Sequence, residues 1–419
     1  MSAVARGLFS FEVALALFVA SGSFSESPLL AWLRLDIPRA TALLSLVSGV
    51  WLVLTRRVTI ARAALIAPAL VAALGLWMAL SLAWAPPNPY GVQKTTVVLT
   101  YSIWSVTAGT LIAGHPDRIR RLLMALIALA TWFTIARLGS TDAEYILASL
   151  GSGYLSYAVN IGIGITALFG LVVLDWSSGP ARACGLLGTL PMLSAVLRAG
   201  GRGALAGLAL SLPLLLLASS LSVDRARHTV RVHVYGIGLS MVTIFGFLVL
   251  LNTVTSDASI RRQYRTLERL EYLQADTGYA GRGSLATVAL DMWYERPWLG
   301  HGVGSFPIYV GRGPVRAYPH NIVLEALCEL GIVGGGIVIA LVMVPVWRSL
   351  RALRYGGPDA RLRVIMLALI LYTLFQALKS MDLMSQNGLY LALGLSAFPP
   401  CTVPPRTSSS PGAPQAQAP

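Results

Sequence analysis

Three short segments of the chain combine glycine with one cationic or titratable side chain beside the expected start of a helix. They are GGRGALAG at 200–207, AGRGS at 280–284 and YPHNIVLEALCELGIVG at 318–334. Their candidate functional residues are Arg202, Arg282 and His320. A helix N-terminus carries free backbone N–H groups and the positive end of the helix dipole. Each segment is therefore suited to bind an anion or a polar group.

The two arginines are candidate ligands for phosphate. An arginine beside a helix N-terminus can hold an anion because the guanidinium and the backbone N–H groups bind the same oxygens, and flanking glycines allow close approach. Arg202 and Arg282 together would suit a diphosphate. Two structural alternatives stay open. Arg202 can be an interfacial arginine that reaches lipid headgroups, and Arg282 can be a solvated loop charge.

His320 is the candidate proton acceptor, since the unperturbed pKa of histidine is about 6.5. A capping role at the helix start is equally open for it. Asn321 is expected either to orient His320 or to cap the helix itself. Glu325 and Glu329 share a helix face with Asn321. Carboxylates in an apolar span need partners, so they either pair with a catalytic arginine, orient His320 or only fix helix packing.

The elements that position these residues are predicted to be membrane-spanning helices. Hydrophobic residues make up 55% of the 419 residues and charged residues 12%, against about a quarter charged in a soluble domain. Apolar runs of roughly 17 to 25 residues can each cross a hydrocarbon layer as a helix. We predict an all-α polytopic membrane protein with about twelve transmembrane helices. The expected spans are 8–24, 39–55, 62–84, 95–114, 119–137, 153–174, 181–197, 203–221, 232–251, 322–346, 362–380 and 384–399.

Arginine clusters between the spans orient the chain. Four clusters fall on one side, which the positive-inside rule assigns to the cytoplasm. Both termini are then cytoplasmic, and the segments with Arg202, Arg282 and His320 face the periplasm of a bacterial inner membrane. The clusters comprise Arg56, Arg57, Arg62, Arg118, Arg120, Arg121, Arg225, Arg227, Arg231, Arg348, Arg351, Arg354, Arg361 and Arg363.

The longest connection, residues 252–321, is expected to be one large, partly helical periplasmic loop. An apolar and a basic stripe at helical spacing favour a helix along the membrane surface. The basic stripe is Arg261, Arg265 and Arg269. A second helix is expected to begin after Ser284, as its N-cap, and to stop at Pro297. The stretch from Trp298 to Pro319, rich in glycine, proline and aromatic residues, is expected to be irregular.

The loop divides the chain into three parts and a tail. Residues 1–251 hold spans one to nine, and residues 322–399 hold spans ten to twelve. Residues 400–419 lack apolar content and are expected to form a disordered cytoplasmic tail.

Several classes of protein and site are disfavoured. The net charge is +14, but the basic residues lie in short clusters, so we predict no nucleic-acid partner. The three cysteines lack paired spacing and the loop lacks a DxD acidic pair, so we predict no disulfide framework, no metal and no cofactor. No P-loop is present. GHGVGSF at 300–306 is a weak nucleotide-loop match because no strand precedes it.

Over roughly residues 195–345 the chain resembles the O-antigen ligase and polymerase superfamily. The motifs that carry the resemblance are the RG pair at a helix start, the loop arginine, PWLGHGVGSF at 297–306 and HNIVLEALCELGIVG at 320–334. The HN-x-x-LE-x-x-x-E-x-G pattern is the most specific part. The resemblance implies a metal-independent, inverting, membrane-embedded glycosyltransferase that takes a glycan from undecaprenyl diphosphate, with membrane lipids around it. In the ligase, the acceptor is a sugar hydroxyl of lipid A–core.

The resemblance also implies roles for the site residues. Arg202 and Arg282 would hold the donor diphosphate and stabilise its developing charge, and His320 would accept or position the acceptor hydroxyl. The loop offers other arginines as alternatives to Arg282. We place the following residues in the substrate-binding group: Asn321, Arg265, Arg269, Arg312, Arg316 and Glu325.

Other functions stay open. O-antigen polymerases and protein O-oligosaccharyltransferases of the superfamily share these motifs and differ in acceptor. The span count, the single large loop and the modest length favour a ligase. A lipid or glycan transporter is the main alternative from another class, and it predicts internal repeats and polar residues near the bilayer midplane. No internal repeat is evident. A non-catalytic scaffold leaves the placement of Arg202 and His320 unexplained.

Overall fold

A computed structural model describes most of the chain. The described residues are 10–23, 35–58, 60–138, 154–175, 178–199, 201–224, 229–232, 277–353 and 359–397, with the isolated residues 238 and 241. The predicted ninth span, 232–251, and the predicted surface helix with Arg265 and Arg269 lie almost wholly outside them. So does the predicted tail.

The described chain is almost entirely helical. The α-helices are α1 Phe11–Ala20, α2 Ile37–Leu54, α3 Ile66–Ser81, α4 Pro89–Val97, α5 Ile103–Ile112, α6 Pro116–Leu138, α7 Tyr154–Gly170, α8 Gly179–Ala199, α9 Arg202–Ser220, α10 Thr277–Glu295, α11 Phe306–Tyr309, α12 Ile322–Leu353, α13 Ala360–Lys379 and α14 Asn387–Leu395. Short 3-10 helices lie at Ser21–Ser23, Arg62–Leu65 and Leu383–Ser385, and π-helical turns at Val98–Ser102 and Leu171–Asp175. Strands β1 Leu221–Asp224 and β2 Thr229–Val232 form one antiparallel hairpin.

The membrane-helix prediction is confirmed in its main part. Within the described residues, nine helices are long and apolar enough to cross a membrane, and Phe11–Ser23 is a shorter apolar helix. The count of twelve stays a prediction. The predicted last span, 384–399, is shorter than expected: α14 has 9 residues, about 14 Å at 1.5 Å per residue. It follows a polar stretch in which Gln386 Nε2 donates to the Asp382 carbonyl.

Helix α7 forms the centre of the bundle. In the span Ser156–Asp175, 94% of the most apolar window is buried, against 17% for α2. Neighbouring helices approach α7 closely because its glycines leave room: a Cβ at Gly162 would collide with the ring of Tyr372 on α13. Small residues at such contacts are typical of membrane helix packing. Helix α2 is peripheral and exposes many large apolar side chains.

The arginine clusters within the described residues lie at one end of the bundle. Arg118 and Arg121, at the start of α6, both bond the buried carboxylate of Glu12 in α1, at 2.8 and 3.1 Å. Arg348, near the end of α12, donates to the carbonyl of Ala63 just before α3. We call this end of the bundle the arginine end. It is opposite to the starts of α9 and α12.

Helix α12 is broken where the sequence predicted a continuous span. Gly331 has φ +67° and ψ −166°, so Ile322–Leu330 is a half-helix and Ile332–Leu353 the longer part. The break leaves backbone carbonyl and N–H groups without partners in the helix, and these must find partners elsewhere because lipid offers none. Trp77 Nε1 donates to the Leu330 carbonyl at 3.0 Å, and Ile332 N donates to the Pro297 carbonyl at 2.8 Å.

The GHGVGSF motif also bonds the backbone of α12 next to the break. His301 N donates to the Cys328 carbonyl at 3.1 Å and Gly302 N donates to the Glu329 carbonyl at 2.8 Å. Gly300, Gly302 and Gly304 all have positive φ, the region in which glycine is favoured. The glycines therefore allow this loop to lie against α12 and the start of α4. The motif has a structural role here, in line with its weak nucleotide-loop signal.

Helix α10 corrects the expectation for Arg282 and Ser284. The helix begins at Thr277, so Ser284 is not its N-cap and Arg282 lies inside the helix. Gly281 and Gly283 suggested a loop, but helix propensity is a weak preference that packing overrides. Ala289 and Met292 of this helix are buried against Phe306 and Cys328. The predicted stop at Pro297 is confirmed, and so is the irregular stretch after it, apart from the four-residue α11.

We predict that Gly331→Ala destabilises the protein and Gly336→Ala does not. A Cβ at Gly331 would collide with the Trp298 carbonyl oxygen, whereas a Cβ at Gly336, in the same helix, meets nothing within 4 Å. Left-handed strain alone costs about 1–3 kcal/mol. The measurement is the temperature at which each purified variant loses its monodisperse peak in detergent. Equal temperatures for the two variants would contradict the account of the break.

Candidate active site

The starts of α9 and α12 meet at the C-terminal end of α13. The Ser380 carbonyl lies 3.4 Å from His320 Nδ1, and Tyr318 Oη donates to it at 3.4 Å. Gln376, one turn earlier on α13, donates from Nε2 to the Gly203 carbonyl at 2.9 Å. The residue before Gly203 is Arg202, the first residue of α9. We call this meeting point the Ser380 junction.

The junction fixes the orientation of the His320 ring. A carbonyl oxygen only accepts, so Nδ1 carries the proton when it bonds Ser380, and in the neutral ring Nε2 then holds the lone pair. The ring also makes an edge contact with Tyr318, with centroids 4.6 Å apart. The sequence predicted His320 as the proton acceptor. That role stays a prediction, and Nε2 is the atom that could accept a proton when Nδ1 bonds Ser380.

The backbone of His320 is left-handed, with φ +59°. Such a conformation is uncommon outside glycine, although histidine adopts it more readily than most residues. Asn321 follows as the cap of α12: its Oδ1 accepts from Val323 N at 2.9 Å and from Leu324 N at 3.2 Å. Of the two roles considered for Asn321, the contacts show the cap. Substrate binding by Asn321 stays a prediction.

Arg316 forms a bidentate ion pair near the junction. Its Nε and one terminal nitrogen bond both carboxylate oxygens of Asp382, at 2.9 and 3.0 Å. The Asp382 side chain is fully buried, whereas that of Arg316 is 48% exposed. Burial opposes ionisation of Asp382, but the Arg316 guanidinium and a bond from Ser385 outweigh it and hold the pKa of Asp382 below its usual range. Arg316 therefore stays available to a ligand on one side only.

A cavity lined by both polar and apolar side chains adjoins the junction, and we call it the polar cavity after its hydroxyl and amide groups. Its volume is about 500 Å³, and Arg316, Tyr318 and Gln376 form part of its wall. Hydroxyl and amide side chains provide much of the rest, which are the groups that bind sugar hydroxyls by hydrogen bonds. They include Ser21, Ser23, Ser156, Asn160, Thr373, Ser385, Gln386 and Asn387.

The remaining predicted site residues are placed differently. Arg312 is exposed in the turn after α11. The side chain of Arg282 lies outside what the structure describes, as do Arg265 and Arg269. The structure thus brings Arg202, His320 and Arg316 to one end of the bundle.

Glu325 belongs to a buried ion cluster that the sequence analysis missed in part. Lys94 Nζ lies 2.5 Å from Glu325 Oε1 and 2.8 Å from Glu329 Oε2, and all three side chains are fully buried. We call these three residues the Lys94 triad. The other oxygen of Glu325 accepts from Leu383 N at 2.9 Å. These contacts give Glu325 a structural role, and its role in substrate binding stays a prediction.

Two charged residues near the candidate site were overlooked, and one of them had a signal in the sequence. Lys94 is the one charged residue in the apolar span Pro89–Ile112, and an intramembrane charge calls for a partner of opposite sign. The carboxylates Glu325 and Glu329, already noted in another span, were the natural candidates. Asp382 lies between the last two apolar segments. Its pairing with Arg316, 66 positions away, has no local sequence pattern.

We predict that Asp382→Asn destabilises the protein by about 1–3 kcal/mol, less than for a fully buried pair because Arg316 is half exposed. Asp359→Asn is the matched control, since Asp359 makes no side-chain cap bond. A lowered pKa stabilises the fold above the ordinary carboxylate pKa of about 4. That stabilisation is lost as the pH falls through the lowered value. The melting temperature of Asp382→Asn should lie below that of the wild type by a constant amount from pH 5 to 8. In acid this difference in melting temperature should shrink. A difference that grows in acid would contradict the assignment.

Comparison with known protein families matches one segment of the chain. Residues 187–339 match the family model for O-antigen ligase, a segment that contains Arg202, Arg282, His320, Asn321 and Glu325. No curated protein matches the chain. The matched segment agrees with the region that carries the sequence resemblance. The match supports assignment of the chain to the O-antigen ligase and polymerase superfamily.

Proposed function

We propose that the protein is an O-antigen ligase, which transfers a glycan from undecaprenyl diphosphate to a sugar hydroxyl of lipid A–core. The observation that carries the proposal is the Ser380 junction, where the helix starts of Arg202 and His320 meet beside a polar cavity. Both helix starts lie in the segment that matches the family. In this proposal Arg202 is the cation, His320 is the proton acceptor and the adjoining cavity holds the sugar.

Arg202 is the proposed ligand of the donor diphosphate. It is the first residue of α9, so its guanidinium and the first backbone N–H groups of the helix can bind the same phosphate oxygens. Fixed donors of this kind stabilise the charge that develops on the leaving diphosphate. The superfamily resemblance adds Arg282. Because Arg282 lies inside α10, it can act through its side chain but not through a helix N-terminus.

His320 is the proposed base or positioning group for the acceptor. Nε2 accepts the proton of the acceptor hydroxyl as its oxygen attacks the anomeric carbon of the donor sugar. The bond from that carbon to the diphosphate breaks, and the diphosphate leaves with the electron pair. Attack opposite the leaving group inverts the anomeric centre. The reaction as proposed needs neither metal nor cofactor.

The proposed site faces the periplasm. The Ser380 junction lies at the end of the bundle opposite to the arginine end, where Glu12 pairs with Arg118 and Arg121. By the positive-inside rule, we assign the arginine end to the cytoplasm. The two termini would then be cytoplasmic in a bacterial inner membrane. Lipid-linked donor and lipid A–core would both reach the site from the outer leaflet.

A transporter is the second candidate, and one observation favours it. A broken helix with buried ionisable residues beside the break is a common feature of transporter binding sites. The Lys94 triad and Gly331 have this arrangement. The triad is closed to solvent, with no exposed side-chain surface. We therefore prefer the transferase.

The test is glycan transfer by purified protein. The substrates are glycan-loaded undecaprenyl diphosphate and lipid A–core, with products resolved by gel in the presence and absence of each. Transfer onto lipid A–core, unchanged by saturating chelator, is the expected result. Elongation of the lipid-linked glycan alone would make the protein a polymerase. No transfer to either would favour the transporter.

We predict that His320→Ala and Arg202→Ala each lower transfer by at least about a hundredfold, since each removes a group that acts in the transition state. Arg202→Lys should recover little, because a point charge cannot replace a bidentate contact. His115→Ala is the matched control: His115 also precedes a helix start, that of α6. All variants should keep the wild-type elution profile. Full activity in both site variants would refute the assignment.

A further inference from the structure

Two amide side chains, Gln386 and Asn160, contribute to the wall of the polar cavity. Gln386 lies directly before α14, and Asn160 lies on α7. The two elements touch there, since a Cβ at Gly388 would come within 3.2 Å of Ile163 Cδ1, one turn after Asn160 on α7. The two amides therefore lie on neighbouring stretches of the cavity wall. We call Gln386 and Asn160 the amide pair.

The orientation of the Gln386 amide is fixed by the protein. Its Nε2 donates to the Asp382 carbonyl at 3.0 Å, and a carbonyl oxygen only accepts, so Oε1 is the atom left for another partner. Within the described residues, no group donates to Oε1. Gln386 is only 3% exposed and lines the cavity. A donor bound in the cavity would therefore satisfy an otherwise unpaired buried acceptor.

Asn160 has the same arrangement. Its Nδ2 donates to Ser23 Oγ at 2.7 Å, and no described residue donates to its Oδ1. Gln376 also lines the cavity, but its unpartnered Oε1 is fully enclosed by protein. The amide pair thus offers two acceptor oxygens on side chains that are already held in place, which lowers the entropy cost of binding a ligand.

The cavity wall favours an uncharged ligand. Among the described residues that line the cavity, only Arg316 is charged, and both carboxylate oxygens of Asp382 accept from its guanidinium, at 2.9 and 3.0 Å. Acceptor oxygens repel phosphates and carboxylates but attract hydroxyl and amide protons. A sugar ring carries such protons. The volume of about 500 Å³ falls within the range of about 300–1,000 Å³ for small-molecule sites.

We propose that the amide pair binds the hydroxyl or acetamido N–H groups of an uncharged sugar ring, with Gln386 as a specificity-determining residue. This inference rests on the proposed function. Tyr101 supplies an aromatic face in the same cavity, held by an edge contact with Phe18 at 5.7 Å between centroids, on which the C–H face of the ring can pack. The ring belongs to the donor glycan or to the core acceptor, and the two arms of the test distinguish these sources.

The test measures how much the sugar adds to lipid binding, with one lipid at a time so that no transfer occurs. The donor arm compares undecaprenyl diphosphate with and without one N-acetylglucosamine, and the acceptor arm compares lipid A–core with and without its outermost sugar. In one arm, Gln386→Met should lower the affinity gained from the sugar by about tenfold, because methionine removes the acceptor. The arm that responds identifies the source of the ring. No response in either arm would overturn the proposal.

Tyr390→Phe is the matched control. Tyr390 Oη donates to the Leu383 carbonyl at 2.9 Å, so this variant loses a bond to the same turn that Gln386 holds through Asp382, but Tyr390 does not line the cavity. The control should keep the affinity gained from the sugar at its wild-type value. An equal loss of that gain in both variants would show that Gln386 only shapes the turn, which would overturn the proposal.

A measurement on the wild-type protein covers a Gln386→Met variant that does not fold. On the donor lipid and on the core, one sugar hydroxyl at a time is replaced by hydrogen or by fluorine, which keeps lone pairs but carries no proton. At one ring position both replacements should weaken binding by about tenfold. Fluorinated sugars that bind as well as the hydroxylated ones at every position of both lipids would overturn the proposal.

Failure of this inference is distinguishable from failure of the proposed function. Sugar-dependent binding that requires Gln386, in a protein that transfers no glycan, would refute the proposed function and leave the sugar site in place. Glycan transfer that is unaffected by Gln386→Met, with unchanged sugar affinity, would refute the sugar site and leave the proposed function in place.

Discussion

The fold depends on the pairing of one lysine with two glutamates inside the membrane. Removing each ion from water costs several kcal/mol, and only close, well-directed partners offset that cost. Lys94 meets Glu325 and Glu329 at 2.5 and 2.8 Å with no exposed surface on any of the three. The triad therefore ties α4 to the half-helix at the start of α12.

The triad also extends toward the candidate site. Glu325 accepts from Leu383 N at 2.9 Å, the residue after Asp382, and Asp382 holds Arg316 in the wall of the polar cavity. Tyr90, one turn before Lys94 on α4, donates to the same Asp382 carboxylate at 3.1 Å. Helices α4, α12 and the end of α13 are thus joined by polar contacts, and His320 lies where α12 begins.

The break in α12 makes this arrangement possible. A continuous helix would leave no free carbonyls for the glycine loop, which bonds the carbonyls of Cys328 and Glu329 through His301 and Gly302. A short, separately anchored half-helix can instead hold its N-terminus, with His320 in a left-handed conformation, against α13. Left-handed strain of this kind persists only where surrounding contacts fix it.

The sequence predicted the structural features that depend on local residue patterns. Long apolar runs identified the spans, Pro297 marked the end of α10, and the HN pair marked the start of α12. Features that depend on distant contacts were not predictable. The break at Gly331 lies among several glycines, and only packing against Trp298 distinguishes it. The pairs of Lys94 and Asp382 likewise join residues far apart in sequence.

The most direct test of this account is the thermal stability of two purified variants in detergent. Lys94→Met alone leaves two buried glutamates without their cation, and removing one partner of a buried pair costs about 3–5 kcal/mol, or roughly 3–6 °C in melting temperature for a chain of this length. Lys94→Met with Glu325→Gln and Glu329→Gln removes the charges together and should recover at least half of that loss. A single variant as stable as wild type, or a triple variant no more stable than the single one, would contradict the claim that charge pairing in the triad holds the half-helix in place.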